Sequence, residues 1–275
     1  MGFYDVIALD LDGTLTNSNK EVTDRTKEII AAAIEQEDAK IVLASGRPVL
    51  GIEPIAEALD LYNKGGYILA FNGGKIIECA TGEVIYQATV DPSVFAEICS
   101  IEDKFPGATP LTYDDKRIVA QKLGNPYLDN EAKCNSVEIT KVDDLLEFAN
   151  SHVINKFLIV GEHDLLEEVK VYLAGKVGDS LELYYSAPYF LEVMPKGIEK
   201  AASLGRLLAH VGSQPESLMA CGDGMNDLHM LEFAGLAVVM DNGCDEAKMR
   251  ADYITKSNDE DGVAYAIEKF VLETV

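Results

Sequence analysis

The feature that most constrains the fold is a series of short apolar runs that alternate with helical patterns and stop at polar residues. The first run, from Val6 to Leu9, ends at Asp10. The runs from Lys40 to Leu43 and from Tyr67 to Ala70 have the same form. Uninterrupted apolar runs of this length are typical of strands buried on both faces, as in parallel sheets. The order strand, helix, strand, helix, strand therefore predicts a parallel α/β sheet.

Two residues mark predicted helix starts between these strands. Thr23 follows a polar loop and can cap a helix whose apolar residues include Ile29 and Ile34. Pro48 can open the next helix, because a residue in the first turn has no intrahelical use for its N–H group.

The C-terminal part of the chain returns to this alternation. A helical pattern from Ile198 to His210 precedes a buried run from Leu218 to Cys221, and Leu236 to Met240 is a further strand. An amphipathic pattern then covers Gly262 to Val271. The two ends of the chain thus predict one α/β core.

The middle of the chain has a different character. A hairpin pattern covers Gly74 to Gln87, and mixed strand and helix patterns interrupted by prolines follow it as far as Ala187. An α+β insertion of about 100 residues, an ordinary domain size, accounts for this change. We therefore predict core residues 1–87, an inserted domain over 88–187, and core residues 188–275.

Charge limits the classes of partner. The 275 residues include 23 basic and 47 acidic side chains, a formal net charge of −24. Nucleic acid and anionic membranes are poor partners for such a chain, because both are bound through Lys and Arg. Most of the acidic residues are expected to form a solvated surface, and a few are candidates for holding a metal.

The compartment is predicted from what the sequence does not contain. The N-terminal residues have no signal-peptide pattern, and no apolar run approaches the ~20 residues that span a bilayer. The five cysteines are odd in number and have no CxxC spacing, which argues against a disulfide framework or a structural zinc site. These observations together predict a cytoplasmic protein.

Chemically versatile residues follow the predicted core strands. Ligands of open α/β sheets bind beyond the carboxyl ends of the strands, so these residues are expected to share one edge. They are Asp10 and Asp12 after the first strand, Ser45, Gly46 and Arg47 after the second, Asp223, Asn226 and Asp227 after the strand at Leu218, and Lys196 and Lys200 before that strand.

Asp10 and Asp12 are the first candidates for a metal site. Gly13 allows a tight turn through which both residues can address one site, and carboxylates with backbone carbonyls suit a hard cation such as Mg²⁺. A calcium EF-hand is excluded, since Thr14 and Leu15 stand where its loop needs an acidic or amide residue and a glycine. A plain Asx turn is the other interpretation of the pentapeptide.

Two other common sites are excluded by their glycine positions. Ser45 is not a nucleophile elbow, because Leu43 and Arg47 replace the flanking glycines. The glycines at 222 and 224 do not form a dinucleotide fingerprint, because Asp227 occupies the third glycine position.

The combined motifs resemble the haloacid dehalogenase superfamily of phosphohydrolases, and within it the Cof-type sugar phosphatases with a type IIB cap. The resemblance spans essentially the whole chain and implies a Rossmann-like core with an inserted α+β cap. The motifs that carry it are Asp10-Leu11-Asp12-Gly13-Thr14-Leu15, Ser45-Gly46-Arg47-Pro48, Lys200, Gly222-Asp223-Gly224-Met225-Asn226-Asp227, Phe71-Asn72-Gly73-Gly74, Ser186 to Glu192 and Met240-Asp241-Asn242.

The resemblance implies a role for each site residue. Asp10 is the expected nucleophile, forming an aspartyl-phosphate, and Asp12 the expected general acid and base. Mg²⁺ is expected on the Asp10 carboxylate, the Asp12 carbonyl and Asp223, with Asp227 a ligand through water or a support. The expected holders of the phosphoryl oxygens are Ser45, the N–H groups of Leu11 and Gly46, Lys200 and Asn226.

Some assignments stay open at this stage. Lys200 has the spacing of the family lysine, but Ala201 follows it where glycine is usual, so Lys196 is the lesser candidate. Arg47 either contacts an anion or pairs with nearby carboxylates. The cap residues that select the leaving group are sought among Tyr113, Arg117, Tyr127, Glu138, Lys156 and Tyr185.

The predicted function is a Mg²⁺-dependent phosphatase of small phosphorylated metabolites, foremost sugar phosphates. The first alternative is a phosphomutase-like phosphotransferase, because the same site could return the phosphoryl group to a sugar. A signalling receiver module, which also clusters acids around Mg²⁺, is the second; it is about half this length and lacks the Asp-x-Asp motif.

Overall fold

The computed structural model describes residues 4–135, 137–177 and 180–272. They form two compact units. The core unit comprises Met1–Gly46, Ile52–Tyr86 and Glu199–Val275, and the inserted unit comprises Arg47–Gly51 and Gln87–Ile198.

Fourteen strands are present in the described residues. They are β1 (Val6–Leu9), β2 (Lys40–Ala44), β3 (Tyr67–Ala70), β4 (Lys75–Glu78), β5 (Val84–Gln87), β6 (Thr109–Tyr113), β7 (Ile118–Ala120), β8 (Ile139–Lys141), β9 (Phe157–Val160), β10 (Leu181–Ala187), β11 (Phe190–Pro195), β12 (Leu218–Gly222), β13 (Leu236–Val239) and β14 (Tyr253–Ile254).

The same residues contain twelve α-helices, several of them a single turn long. They are α1 (Asp24–Glu37), α2 (Val49–Ala58), α3 (Leu61–Lys64), α4 (Phe95–Cys99), α5 (Ile101–Lys104), α6 (Pro126–Asn135), α7 (Leu145–Ser151), α8 (His163–Val177), α9 (Lys200–Val211), α10 (Leu228–Phe233), α11 (Asp245–Lys248) and α12 (Gly262–Ile267).

The core unit is built on an eight-stranded sheet in the order β14-β13-β12-β1-β2-β3-β4-β5. The six strands from β14 to β3 are parallel, and β4 is antiparallel to β3. All four residues of β1 are fully buried, as the uninterrupted apolar run predicted for a central strand. The predicted parallel α/β core with an inserted α+β domain is confirmed.

Register brings the ends of the central strands to one edge of this sheet. Leu9 at the end of β1 pairs with Leu43 of β2 on one side and with Cys221 of β12 on the other. The residues that follow these three strands therefore leave the sheet side by side, as the rule for parallel sheets requires.

The predicted helix start at Thr23 is confirmed, and the one at Pro48 lies one residue before the observed helix. Thr23 caps α1, since its hydroxyl accepts a hydrogen bond from the backbone N–H of Thr26 at 3.2 Å. Helix α2 begins at Val49, directly after Pro48. Helix α9 begins at Lys200, two residues later than the helical pattern, and buries Leu204, Leu207 and Leu208 against the core sheet.

The inserted unit has its own sheet and its own core. Its six strands lie in the order β10-β11-β9-β6-β7-β8, and only β7 and β8 are parallel among the paired strands. Phe95, Phe148 and Phe157 lie in its apolar cluster. Strand β11 pairs with β10 and β9, so the inserted sheet continues past residue 187, where the sequence placed the return to the core.

Two further sequence expectations bear on the chain as a whole. Within the described residues, Cys79, Cys99, Cys221 and Cys244 are free thiols. Across the ranges described above, none of the helices combines the length and the apolar character that crossing a membrane requires.

Candidate active site

Asp10 lies directly after β1, at the edge where the central strands end. Its N–H donates to the carbonyl of Cys221 at 3.0 Å, and its own carbonyl accepts from Leu15 at 3.2 Å. These bonds hold the residue between the neighbouring strand and the turn that follows. The Asp10 side chain is buried, so its carboxylate is shielded from bulk water.

Gly13 turns the chain back after Asp10. Its φ of +81° is a conformation that favours glycine. A Cβ at this position would lie 2.4 Å from Oδ2 of Asp223, so any side chain would displace that carboxylate. The neighbouring Thr14 hydroxyl donates to Asp223 Oδ1 at 3.1 Å. The turn therefore reverses the chain and also contacts the Asp223 carboxylate.

Asp227 closes the loop that follows β12. Its Oδ2 accepts hydrogen bonds from the backbone N–H groups of Asp223 and Gly224, each at 3.0 Å. A Cβ at Gly222 would lie 2.7 Å from the Cβ of Asp227, which explains the glycine at the strand end. Asp227 is fully buried, and its carboxylate holds the loop that carries Asp223.

Lys200 links Asp227 to Asp10. Its Nζ lies 2.6 Å from Asp10 Oδ1 and 2.7 Å from Asp227 Oδ1, and its side chain is 1% exposed. Lys200 is the first residue of α9, so the helix start fixes where the ammonium enters the site.

The cluster has a surplus of negative charge. Asp10, Asp223 and Asp227 each offer a carboxylate oxygen, and these atoms lie within 4.8 Å of one another. Burial and the Asp227 carboxylate raise the pKa of Asp10 to about 8, although Lys200 opposes this. Burial and Asp227 also raise the pKa of Asp223. Burial alone would lower the pKa of Lys200, but Asp10 and Asp227 raise it above its usual value.

The donor set fits a hard divalent cation. Asp10 and Asp223 each direct a carboxylate into the cluster, and the space beside Gly13 that a Cβ would fill is occupied by the Asp223 oxygen. Oxygen donors with surplus negative charge are what Mg²⁺ requires. Asp227 is a weaker donor, since one of its oxygens bonds Lys200 and the other accepts two N–H groups.

The carboxylate of Asp12 pairs with Lys20. It is not among the three that converge, and its Oδ1 accepts a hydrogen bond from Lys20 Nζ at 2.7 Å. Both side chains are partly exposed. Of the four acidic residues predicted to share one site, the structure therefore brings three carboxylates together.

Besides Lys200, the expected phosphate-binding residues lie on three segments of the core unit. Ser45 is buried, its N–H donates to the carbonyl of Leu69 at 2.9 Å, and Gly46 follows it. Leu11 is buried in the turn after β1. Asn226 is exposed, in a short 3-10 turn after Gly224.

Arg47 and Lys196, whose roles the sequence did not decide, belong to the inserted unit. The guanidinium of Arg47 donates to the carbonyl of Gly51 at 3.0 Å. Lys196 is exposed after β11. Lys200, by contrast, lies in the core unit and contacts Asp10 directly.

Several contacts of the site could not be predicted from sequence motifs alone. They are four hydrogen bonds: from Lys20 to the Asp12 carboxylate, from Thr14 to the Asp223 carboxylate, from Asn242 to the Gly13 carbonyl and from the Asn72 N–H to the Ser45 carbonyl. Thr14, Asn72 and Asn242 stand within motifs that carried the family resemblance, which was the available signal for them. Lys20 had no such signal.

Comparisons with known proteins cover nearly the whole chain. The profile of a family described as haloacid dehalogenase-like hydrolase matches residues 7–267. A 5-amino-6-(5-phospho-D-ribitylamino)uracil phosphatase of Bacillus subtilis is 31% identical over 268 residues, covering 97% of this chain and 96% of that protein.

Solved structures resemble the chain over nearly its whole length. The crystal structure of a haloacid dehalogenase-like hydrolase from Bacteroides thetaiotaomicron has a TM-score of 0.92 at 41% identity, covering 97% of this chain and 99% of that one. A structure described as a subclass IIB sugar phosphatase has a TM-score of 0.78 at 25% identity, covering 97% and 98%.

Proposed function

The chain belongs to the haloacid dehalogenase-like hydrolases and is a phosphatase, and we propose that it hydrolyses sugar phosphates and related small phosphate monoesters with the help of Mg²⁺. The observation that carries this proposal is the cluster of Asp10, Asp223 and Asp227, in which buried Lys200 bridges the buried carboxylates of Asp10 and Asp227. We also propose a cytoplasmic location, where such metabolites are abundant.

In the first step of the proposed reaction, Asp10 is the nucleophile. The Lys200 ammonium holds Asp10 Oδ1, so the other carboxylate oxygen is available to attack phosphorus. A P–O bond to Asp10 forms while the ester P–O bond breaks, and Asp12 gives its proton to the departing alkoxide. A carboxylate nucleophile divides one difficult displacement into two easier steps.

In the second step, water attacks the aspartyl-phosphate. Asp12, now a carboxylate, takes a proton from the water as the new P–O bond forms, and Asp10 leaves as the free carboxylate. Inorganic phosphate is released, and both side chains return to their starting protonation states. Proton transfer by a positioned carboxyl group typically contributes about 10²- to 10⁴-fold.

Opposing negative charges are the electrostatic difficulty of this reaction. Mg²⁺ bound by the Asp10 and Asp223 carboxylates and the Asp12 carbonyl would supply Lewis-acid stabilisation of the phosphoryl group. Asp227 supports this set by holding the Asp223 loop. The Lys200 ammonium has three N–H donors, of which two bond carboxylates, and the third is available for a phosphoryl oxygen.

The remaining phosphoryl contacts are assigned to groups that the core unit fixes in place. We assign them to the Ser45 hydroxyl, the backbone N–H groups of Leu11 and Gly46, and the Asn226 amide. Donors that are already oriented toward developing charge stabilise a transition state without the cost of reorganisation.

Sugar phosphates are the proposed substrate class on two grounds. The structural neighbour of subclass IIB is described as a sugar phosphatase, and the named relative acts on a phosphoribityl compound. Both leaving groups are polyhydroxylated alcohols, which need an acid such as Asp12 to protonate the alkoxide.

A panel of phosphorylated metabolites tests the proposal. Release of inorganic phosphate is measured for hexose, pentose and polyol phosphates and for nucleoside monophosphates, with Mg²⁺ and with EDTA, and Asp10→Asn is the inactive control. We expect the highest kcat/KM on a sugar or polyol phosphate, no turnover by Asp10→Asn, and Mg²⁺ restoring what EDTA removes.

Three results would refute parts of the proposal. Turnover by Asp10→Asn would refute the nucleophile, and activity unaffected by EDTA would refute the metal. Isomerised phosphosugar without released phosphate would favour the phosphomutase alternative instead.

A further inference from the structure

A strained backbone segment follows β3 in the core unit. Phe71, Asn72 and Gly73 have φ values of +54°, +53° and +104°, three consecutive residues in the left-handed region. Glycine enters that region freely, asparagine with some ease, and a bulky residue such as phenylalanine rarely. Conformations of this kind persist where the surrounding structure over-determines them, and they cluster at functional sites.

The surroundings do fix this segment at each residue. The Phe71 side chain is buried. The Ser203 hydroxyl donates to the Gly73 carbonyl at 2.7 Å, and a Cβ at Gly73 would lie 2.6 Å from that same hydroxyl oxygen. The Gly74 N–H donates to the Phe71 carbonyl at 3.0 Å. The segment is thus locked between β3 and helix α9.

Asn72 uses this fixed position to contact the segment after β2. Its backbone N–H donates to the Ser45 carbonyl at 2.9 Å. Its side-chain amide lies beside Gly46, because a Cβ on Gly46 would be 3.2 Å from both Nδ2 and Oδ1. One residue therefore contacts both Ser45 and Gly46, through two different groups.

We propose that Asn72 is a positioning residue for phosphate binding: it sets the orientation of the Ser45 hydroxyl and the Gly46 N–H. This inference rests on the proposed function, which assigns those two groups to the phosphoryl oxygens. Hydrogen-bond donors bind an anion well only when their direction is fixed beforehand, and a displacement of 1 Å in such a site costs about 10²-fold in rate. The left-handed segment brings Asn72 to the place where it fixes them.

Asn72→Gly tests the inference because glycine retains the backbone. Glycine adopts the left-handed conformation without steric cost, so the N–H bond to the Ser45 carbonyl remains while the contact with Gly46 is lost. Asp38→Gly is the matched control: Asp38 is another left-handed residue of the core unit, at the exposed C-terminal end of α1, with a φ of +55°. Both variants replace a residue with a left-handed backbone conformation by glycine.

Three measurements are made on the full-length protein in Mg²⁺. They are the inhibition constant of inorganic phosphate, the KM and kcat for p-nitrophenyl phosphate, and the midpoint of thermal unfolding. For Asn72→Gly we expect the inhibition constant and KM to rise about ten-fold, the equivalent of one hydrogen bond to a charged group, with an unfolding midpoint within about 4 °C of the wild type. Asp38→Gly is expected to change neither constant.

The outcomes separate this inference from the function on which it rests. A wild-type protein that hydrolyses no phosphate ester refutes the proposed function and the inference together. An active wild type whose phosphate inhibition constant is unchanged in Asn72→Gly overturns the inference alone.

A second variant covers the case in which Asn72→Gly unfolds at a much lower temperature. Asn72→Asp keeps the shape and the tolerance for left-handed backbone, but it places a carboxylate beside Gly46. A rise of at least ten-fold in the phosphate inhibition constant supports positioning at the phosphate subsite, and an unchanged constant overturns it.

Discussion

Lys200 and Asp10 form a buried ion pair, with Nζ 2.6 Å from Oδ1 and the two side chains exposed by only 1% and 7%. The same ammonium also bonds Asp227. One cation thus faces three carboxylates, since Asp223 lies in the same cluster. This imbalance determines how the protein should respond to pH, to substitution and to metal.

Asp10→Asn should stabilise the metal-free protein at alkaline pH. The pKa of Asp10 is raised from 3.8 to about 8, so the folded state binds this proton more tightly than the unfolded state does. Its contribution to stability is therefore full below about pH 4 and is lost as pH rises toward 8. In EDTA at about pH 8, we expect the free energy of unfolding of the variant to exceed that of the wild type by at least about 1 kcal/mol. This lower bound is set below the free energy that a shift of a single pKa unit represents.

Urea unfolding in EDTA at several pH values between about 5 and 8 measures this difference. The gap between the variant and the wild type should widen with pH and shrink when Mg²⁺ is added. A gap that is constant across this range would contradict the raised pKa of Asp10.

Lys200→Met should destabilise the metal-free fold at neutral pH. The substitution leaves two buried carboxylates, Asp10 and Asp227, without their shared cation, and breaking a buried pair in this way costs about 3–5 kcal/mol. Lys27→Met is the matched control, because Lys27 pairs with exposed Asp24 on the surface of α1, where an ion pair contributes at most about 1 kcal/mol. Urea unfolding of both variants in EDTA tests this, and equal losses would argue against a buried ion-pair role for Lys200.

Asp223→Asn and Asp227→Asn should have different effects. Asp223 directs its carboxylate into the cluster, where the Thr14 hydroxyl bonds one oxygen, so its loss should raise the Mg²⁺ concentration for half-maximal activity by at least about ten-fold. In Asp227→Asn the new NH₂ group must face either Lys200 or two backbone N–H donors, since an amide has one acceptor oxygen. That conflict should cost about 1–3 kcal/mol of stability.

Magnesium titrations of phosphate release, together with urea unfolding, distinguish the two residues. If Asp227→Asn shifted the Mg²⁺ requirement more than Asp223→Asn did, Asp227 would be the direct ligand and the assignment would have to be reversed.

The core fold was predictable because its signals are local. The strand from Val6 to Leu9 coincides with the apolar run, and Thr23 caps α1 as its position before an amphipathic pattern predicted. The end of the insertion was less predictable. Strand β11 is apolar like a core strand, and its pairing with β9 and β10 depends on partners distant in sequence.

The site was predictable as a set of residues but not as a geometry. Motif order indicated Asp10, Asp223 and Asp227, whose carboxylates do converge. The two oxygens of Asp227 are bonded to Lys200 and to its own loop, which only the tertiary structure specifies. The left-handed conformation of Phe71 could not be predicted either, because the signal for such a backbone is a glycine, and phenylalanine rarely adopts it.

The last prediction concerns Lys20, which should assist Asp12. Lys20 Nζ lies 2.7 Å from Asp12 Oδ1, and the loop that carries it is ordered by Asn17, whose side-chain oxygen accepts the N–H groups of Asn19 and Glu21. Lys20 itself adopts a left-handed φ of +65°. A loop fixed in this way can hold the carboxylate of the proposed acid in one orientation.

Lys20→Met should therefore slow the hydrolysis of esters whose leaving group needs a proton. A sugar alkoxide needs the acid, whereas p-nitrophenolate leaves without it. We expect kcat to fall about ten-fold on a sugar phosphate, part of the 10²- to 10⁴-fold that acid–base catalysis supplies, and less than about two-fold on p-nitrophenyl phosphate. Lys20→Arg should restore much of the loss, because a guanidinium can also donate to a carboxylate. An equal fall on both substrates would show that Lys20 acts on phosphate binding or on the fold, and not through Asp12.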